Sequence, residues 1–328
     1  MSGGPRSLDV VTHCTQGHGL PLASLWYSAP LCADRGLKLR FLHTNKPSTL
    51  ARVLLAPKLL FDSVASLRHG FGALCYWASV LLRKRMAIFW HETDWAIERT
   101  LVDPGTGQPL KRLRARTVRH LLANPGVTHF HVCTYGTRML VERYGVAAER
   151  VHLLHGCSNS AALLAHPLPL PVEPGLFVAV GDLNARKGVD LFLEIARRVV
   201  QSRPEARFVW IGTSDGNLEY TESSSQAKAE ALGLSEQVSF IGWQDDPVAL
   251  MAKAEAILLT SRDDPLPKIL QEALALGRKS VAFDVGGAAE ILGEEGRVVP
   301  PGDCEAFADQ LIEPEHCDSE AQFRRRRR

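Results

Sequence analysis

Apolar residues in this chain gather into short unbroken runs, each followed by a longer stretch in which they recur every third or fourth position. The first arrangement belongs to a strand covered on both faces and the second to an amphipathic helix, so their alternation predicts α/β units with parallel sheets. The second half carries it most regularly, through LFVAVGDL, ARFVWIG, VSFIG, AILLTS, SVAFDV and GRVVPPG. The clearest stretch is 256–292. Ile257, Leu258 and Leu259 end at Thr260 and Ser261, and then Asp263 and Asp264 precede Pro265. A residue ahead of proline is driven out of the α region, which puts the acidic pair on a loop. From Pro267 the spacing turns helical through Ile269, Leu270, Ala273 and Leu274, Gly277 stands where a C′ glycine ends a helix, and Ser280 to Val285 leads into Gly286-Gly287 and a short helix with Glu290.

The first half follows the same alternation less sharply. Strands are expected at Leu8 to His13, Leu37 to His43, Arg85 to Trp90, His129 to Thr134 and Val151 to Leu154, with helical stretches between them. The chain is 328 residues long and 45% hydrophobic, enough for two cores, and AHPLPLPVEPG at 165–175 reads as a stiff linker between them. The expected domains are therefore 1–170 and 171–328.

Charge separates these halves. Residues 1–172 hold 20 Lys and Arg against 9 Asp and Glu, a net +11, whereas the remainder holds 18 against 27, a net −9. Two segments concentrate the basic side: Phe71 to Leu82 is apolar and runs into Arg83-Lys84-Arg85, and Lys111 to His120 carries five Lys and Arg on an expected helix. Each alone reads as a solvated face; together they suggest docking on an anionic membrane surface. Nucleic acid is not expected, because no aromatic-interleaved basic motif accompanies the charge. Seven scattered cysteines without a C-x-x-C pair indicate neither a disulfide framework nor a zinc site, and no apolar run reaches the ~20 residues of a membrane span. The expected location is cytoplasmic, peripheral at the inner face of the cell membrane.

Candidate chemistry lies at the ends of expected strands, where parallel sheets bind ligands. After LFVAV comes Gly181-Asp182-Leu183-Asn184-Ala185-Arg186-Lys187-Gly188. Two adjacent cations ahead of a helix oppose its dipole unless an anion lies there, and a diphosphate meets that requirement. Asp264 and Glu272, seven residues apart, can face one crevice; the plainer alternative makes Asp264 a helix cap and Glu272 a solvated charge. In the first half, Gly17 and Gly19 bracket His18 ahead of an apolar helix, either a plain turn or a close-approach loop for an anion or sugar. MAIFW ends in His91-Glu92-Thr93-Asp94-Trp95, which lacks the second histidine of an H-E-x-x-H zinc helix.

Taken together, SRDDPLPKILQEALALG followed by FDVGG resembles the nucleotide-sugar site of glycosyltransferase family 4, retaining enzymes of GT-B fold. The family's motif is two glutamates separated by seven residues, and here Asp264 stands in place of the first, one methylene shorter. The G-x-L…RKG stretch resembles the family's phosphate clamp, with Asp182 departing from the arginine often found after the first glycine. The resemblance is close over 176–311 and loose before it. It implies two Rossmann-like, doubly wound domains facing a cleft, the first binding the acceptor and the second a nucleotide-diphosphate sugar. It further implies hexosyl transfer with retention to a glycan or lipid-linked glycan, with no cofactor and no metal. Arg186 and Lys187 are then expected on the leaving diphosphate, and Asp264 on the sugar, aided by backbone at Leu266, Pro267 and Lys268. Glu272 is expected on the ribose, Gly212 and Trp243 near the nucleotide, Gly17 and Gly19 at the glycine-rich loop, and His91 beside the reacting sugar, with Glu92, Asp94 and Trp95 near the acceptor. Two other classes stay open. One is a catalytically inactive nucleotide-sugar-binding protein. The other is a Rossmann oxidoreductase, disfavoured by the absence of G-x-G-x-x-G after either first strand.

Overall fold

The computed structural model describes residues 6–12, 37–43, 58–61, 70–91, 93–94, 97–98, 101, 109–155, 163, 171–214, 216, 218–294 and 296–312. The chain divides into two units, Met1–Cys157 and Ser158–Arg328, and the division falls ahead of the proline-rich stretch.

The first unit is built on a six-stranded parallel sheet of order β2-β1-β3-β4-β5-β6. Its strands are β1 (Arg6–Thr12), β2 (Leu37–His43), β3 (Lys58–Phe61), β4 (Arg85–Trp90), β5 (Val127–His131) and β6 (Val151–Leu153). Its described helices are α1 (Gly70–Leu81), α2 (Pro109–Ala123) and α3 (Thr134–Glu142). β3 was not foreseen, although it pairs with both β1 and β4 in the middle of the sheet. The expected strand at 129–134 lies two residues earlier. Gly126 N–H bonds to the Asn124 side chain (2.9 Å), closing a turn immediately before Val127, and Cys133 already caps α3. Tyr76, Ile88, Trp90, Val118, Leu121 and Leu140 form the centre of this core.

In the second unit the strands are β7 (Glu173–Val180), β8 (Arg207–Ile211), β9 (Val238–Phe240), β10 (Ala254–Leu259), β11 (Lys279–Phe283) and β12 (Arg297–Val299). They are parallel in the order β12-β11-β10-β7-β8-β9. The described helices are α4 (Val189–Ser202), α5 (Glu222–Ala231), α6 (Pro247–Met251), α7 (Lys268–Ala275), α8 (Ala288–Leu292) and α9 (Cys304–Ile312). This is the classical doubly wound order, in which successive strands run outward from β7 on one side and from β10 on the other.

Packing follows the sequence pattern. Along α4 the buried positions are Val189, Phe192, Leu193, Ile195, Ala196 and Val199, a helical stripe that sets Phe192 edge-on against Trp210 (5.1 Å between ring centres) and Phe208 (5.8 Å). Each such fully buried aromatic contributes roughly 1.5–3 kcal/mol of apolar burial. Phe307 of α9 packs on Phe283 of β11 (4.9 Å). At the amino edge of the sheet Arg203 donates to both Glu255 oxygens (2.8 and 2.9 Å) and to the Leu311 carbonyl (2.7 Å), tying the ends of α4 and α9 to β10. Cys75, Cys133 and Cys304 are buried and form no disulfide.

Candidate functional site

In the second sheet the strand order reverses between β10 and β7, and the segments leaving their carboxyl ends, 181–188 and 260–267, meet there. Splitting the chain at such a point leaves a crevice between the two loops, which is where open α/β sheets hold ligands. The 181–188 loop is shaped by its own side chains. Asn184 Oδ1 accepts the Lys187 backbone N–H (2.9 Å), and the Trp210 indole N–H donates to the Gly181 carbonyl (2.8 Å) from β8. Gly188 adopts φ +73°, and a Cβ there would lie 2.0 Å from the Thr260 carbonyl oxygen, so this close approach admits only glycine. Thr260 Oγ1 in turn donates to the Lys187 carbonyl (3.1 Å), and Arg262 N–H to the Arg186 carbonyl (2.8 Å). A third loop joins from β11, where Gly287 N–H bonds to the Pro265 carbonyl (2.9 Å).

The charges of the two central loops are interlocked. Lys187 Nζ donates to Asp264 Oδ2 at 2.6 Å, and Asp264 is only 6% exposed. Arg186 donates to the Asp263 carbonyl (2.9 Å). Arg262 grips Asp190, in the first turn of α4, with two bonds of 2.7 and 2.6 Å, and it also holds the Ala185 carbonyl (2.8 Å). Burial pushes the Asp190 carboxyl up, but its bonds to Arg262 outweigh that and hold it below the usual range. Asp264 is not a helix cap: Pro267 occupies the N-cap of α7 with no side-chain cap, and the carboxylate is turned to the lysine instead. Part of the anion that the Arg186-Lys187 pair requires is therefore supplied by the protein itself.

Other expected residues take definite places. Leu266, Pro267 and Lys268 form the entry to α7, and Glu272 lies one turn further along the same helix. Burial raises the Glu272 carboxyl above its ordinary value, partly opposed by the Lys268 charge. Gly212 directly follows β8 and donates its N–H to the Gly242 carbonyl (2.9 Å), and Trp243, the residue after Gly242, is 75% exposed. In the first unit His91 follows β4 directly and stands edge-on to Phe89 (4.4 Å). Asp94, expected near the acceptor, is engaged within the fold by Arg143 and by the Tyr144 hydroxyl (2.6 Å). Gly17, Gly19, His18, Glu92 and Trp95 lie outside the described residues. Among the described residues no cluster of three His, Cys, Asp or Glu side chains could hold a metal ion.

Two contributors were not singled out from the sequence. Asn184 has a local signal, since an Asn or Asp three residues before a loop amide is a turn-forming arrangement. The Arg262–Asp190 pair, 72 residues apart, has none.

The family model described as "Glycosyl transferases group 1" matches residues 174–314, bearing out the resemblance drawn from the motifs. Over 116 residues the chain is 35% identical to the Vi polysaccharide biosynthesis protein VipC/TviE of Salmonella typhi, which is 35% of this chain and 18% of that protein. It is 28% identical over 155 residues to the lipopolysaccharide core biosynthesis glycosyltransferase LpsE of Rhizobium meliloti, covering 47% of this chain and 43% of the relative. The chain thus spans less than half the length of either relative. Among solved structures, Anabaena Alr3699/HepE in complex with UDP superposes with a TM-score of 0.69 at 17% identity, over 98% of this chain and 94% of that one. At that identity the likeness speaks for the fold, the pair of Rossmann-like units of the GT-B class.

Proposed function

We propose that this chain, whose residues 174–314 match the family model of the glycosyl transferases group 1, is a retaining glycosyltransferase that moves a hexosyl group from a nucleoside diphosphate sugar to a glycan or lipid-linked glycan. The observation that carries this reading is the meeting of the Arg186-Lys187 loop with the Asp264 loop at the reversal point of the second sheet. Two cations there can take up the charge that develops on a leaving diphosphate, which is transition-state stabilisation of the electrostatic kind. Asp264 and the amides at the start of α7, around Leu266, Pro267 and Lys268, would receive the sugar. Glu272, which is partly buried, would accept the ribose hydroxyls, whose donated bonds replace the lost solvation. Gly212 and the exposed Trp243 border the place for the base. His91, at the carboxyl end of β4, is read from the family resemblance as a group beside the reacting sugar.

In this reading no metal is required and no cofactor takes part, since Arg186 and Lys187 do the work that a divalent cation does in other transferases. The protein is further read as cytoplasmic and peripheral on an anionic membrane, which the +11 charge of residues 1–172 supports. Among the described residues no helix is long and apolar enough to cross a membrane. UDP is the first nucleotide to test, because the Anabaena protein was crystallised with it.

The test combines a thermal-shift panel of nucleoside diphosphate sugars with detection of nucleoside diphosphate release, with and without a chelator. A donor at 100 times its Kd raises stability by ~2.7 kcal/mol. Binding together with chelator-insensitive release supports the transferase. Binding without release under any acceptor identifies an inactive nucleotide-sugar-binding protein, and binding of a nicotinamide dinucleotide alone would return the chain to the oxidoreductases.

A further inference from the structure

We propose that the face shared by α1 and α2 is a membrane-docking surface that seats the first unit on an anionic lipid leaflet. It gives a location to the peripheral attachment read above and is independent of the transfer reaction.

On α1, Leu74 and Leu81 are seven residues apart and so share one side of the helix, and they are 55% and 83% exposed. Leu82, immediately after, is also exposed. On α2, Arg112, Arg116 and Arg119 are spaced four and three apart, again one side, and all three are exposed. The two rows are held together at Trp77, three residues beyond Leu74 and four before Leu81. Its indole N–H donates to Thr117 Oγ1 of α2 (3.0 Å), and the Arg116 guanidinium lies 5.8 Å from the centre of its ring. Beneath them Tyr76 and His120 are hydrogen-bonded at 2.7 Å, which fixes the register of the helix pair. Neither helix contains an acidic residue. Arg83 and Lys84 add two more cations at the end of α1, and Arg83 is exposed.

Single exposed leucines are ordinary on protein surfaces, but a leucine stripe bordered by an unbroken basic row is the composition of a helix face lying in the headgroup region. The leucines choose between partners. A nucleic acid would use the arginines and gain nothing from Leu74 and Leu81, whereas an acyl boundary takes both. A second copy of the same face would bring arginine rows together, an unfavourable contact without an anion between them. An anionic leaflet complements both rows, and two weak signals acting together are what stable peripheral attachment needs.

The experiment is co-sedimentation of the full chain with vesicles of phosphatidylcholine alone or mixed with anionic phosphatidylglycerol, at low and high salt. Wild type is expected to bind the anionic vesicles, and less so at high salt. At roughly fivefold per basic residue, Arg112→Gln with Arg116→Gln should weaken binding about twenty-five-fold. Leu74→Ser with Leu81→Ser should also weaken it, at every salt concentration. Arg83→Gly keeps the test sound if the helix variants fold poorly. Arg83 sits at φ +49°, a backbone conformation that favours glycine, so this variant should lose about fivefold in binding while melting no earlier than wild type. Equal binding to neutral and anionic vesicles overturns the proposal, as does wild-type binding by Arg83→Gly and the double arginine variant. So does duplex DNA binding that survives the leucine changes. A dimer in light scattering that the leucine changes dissociate would assign the face to a second copy and overturn it equally.

Discussion

In the second unit Asn184, Thr260, Ser261 and Asp264 are buried on the loops after β7 and β10, at the ends of strands that are themselves apolar. In the first unit β5 carries His129 and His131 within the strand, on the same inward side as Val127. The two placements have different consequences. A polar group buried on a loop at a strand end can be met by a counter-charge or by a ligand, and both Lys187 and the proposed donor use that freedom. The His129 imidazole, buried inside the strand, is held in its neutral form. Those four groups of the second unit thus lie where chemistry can use them, whereas His129 ties part of the first unit's stability to pH.

The largest effect follows from His129. Burial, with the Arg150 charge adding to it, lowers this imidazole from 6.5 to about 3. The Trp90 indole N–H donates to its Nδ1 (3.0 Å), and Nε2 has no partner among the described residues. Because the folded value lies below the unfolded one, the unfolded chain takes up the extra proton. Stability from this source is complete above pH ~6.5 and falls by ~1.4 kcal/mol per unit as pH drops toward 3, or roughly 2 kcal/mol by pH 5. Urea unfolding of wild type and His129→Gln at pH 7 and pH 5 measures it. The variant should lose most of the pH dependence of the transition that involves the first unit. An equal pH slope in both proteins would show that β5 is not where the acid sensitivity lies, and the contrast between the units would fail.

Next in size are the clamp residues. Lys187→Ala or Arg186→Ala removes a charge-assisted bond to the proposed diphosphate, worth ~1.5–3 kcal/mol, or about ten- to hundredfold in transfer. The second unit should still melt cooperatively. Donor affinity and turnover unchanged in both variants would refute the clamp.

Asp264→Asn sharpens the same site, because the lysine and the sugar are assigned to one carboxylate. Breaking the Lys187–Asp264 pair leaves a largely covered ammonium without its counter-charge, which destabilises the ligand-free protein more than the intact pair ever stabilised it. A bound diphosphate would relieve that cost, so nucleoside diphosphate affinity should rise, by about tenfold for each ~1.4 kcal/mol relieved, while transfer falls. Calorimetric titration with UDP alongside a turnover assay separates the two. If affinity drops with turnover, Asp264 holds the nucleotide rather than competing with it for Lys187.

How much of this was legible in the chain differs between the units for the same physical reason. Strands covered on both faces write continuous runs such as Phe177 to Val180 and Ile257 to Leu259, and the turns after them are marked by Gly181, Gly188 and the Asp264-Pro265 step. The first unit gives weaker marks. β3 is only Lys58-Leu59-Leu60-Phe61, too short after Pro57 for periodicity to distinguish strand from helix. β5 alternates, but two of its inward positions are histidines, so the pattern points to a later start than the true one. At the site the residue types and their loops could be read locally. The pairing of Lys187 with Asp264 joins positions 77 residues apart, and no local pattern reveals which of two charges in a crevice will meet before a ligand arrives.

The smallest effect contrasts two helix ends. In the second unit α7 ends with Gly277 at φ +67°, its N–H on the Leu274 carbonyl (3.0 Å) and the Arg278 N–H on the Ala273 carbonyl (2.9 Å). In the first unit α1 ends by the same two bonds, Arg83 to Val80 (3.0 Å) and Lys84 to Ser79 (2.9 Å), but the left-handed position is held by an arginine at φ +49°. Glycine meets no Cβ penalty there, and an L side chain gives up roughly 1 kcal/mol. Arg83→Gly should therefore stabilise the first unit by up to ~1 kcal/mol, a rise of about 2–4 °C in the melting of a domain of that size. Gly277→Ala should cost a similar amount in the second unit. The gain is reduced by the greater freedom of glycine in the unfolded chain, so a small rise or no change both fit, and a clear loss of stability does not. A loss would mean that the Arg83 side chain makes contacts in the fold worth more than its backbone strain, and the residue would then be structural rather than retained for its exposed charge.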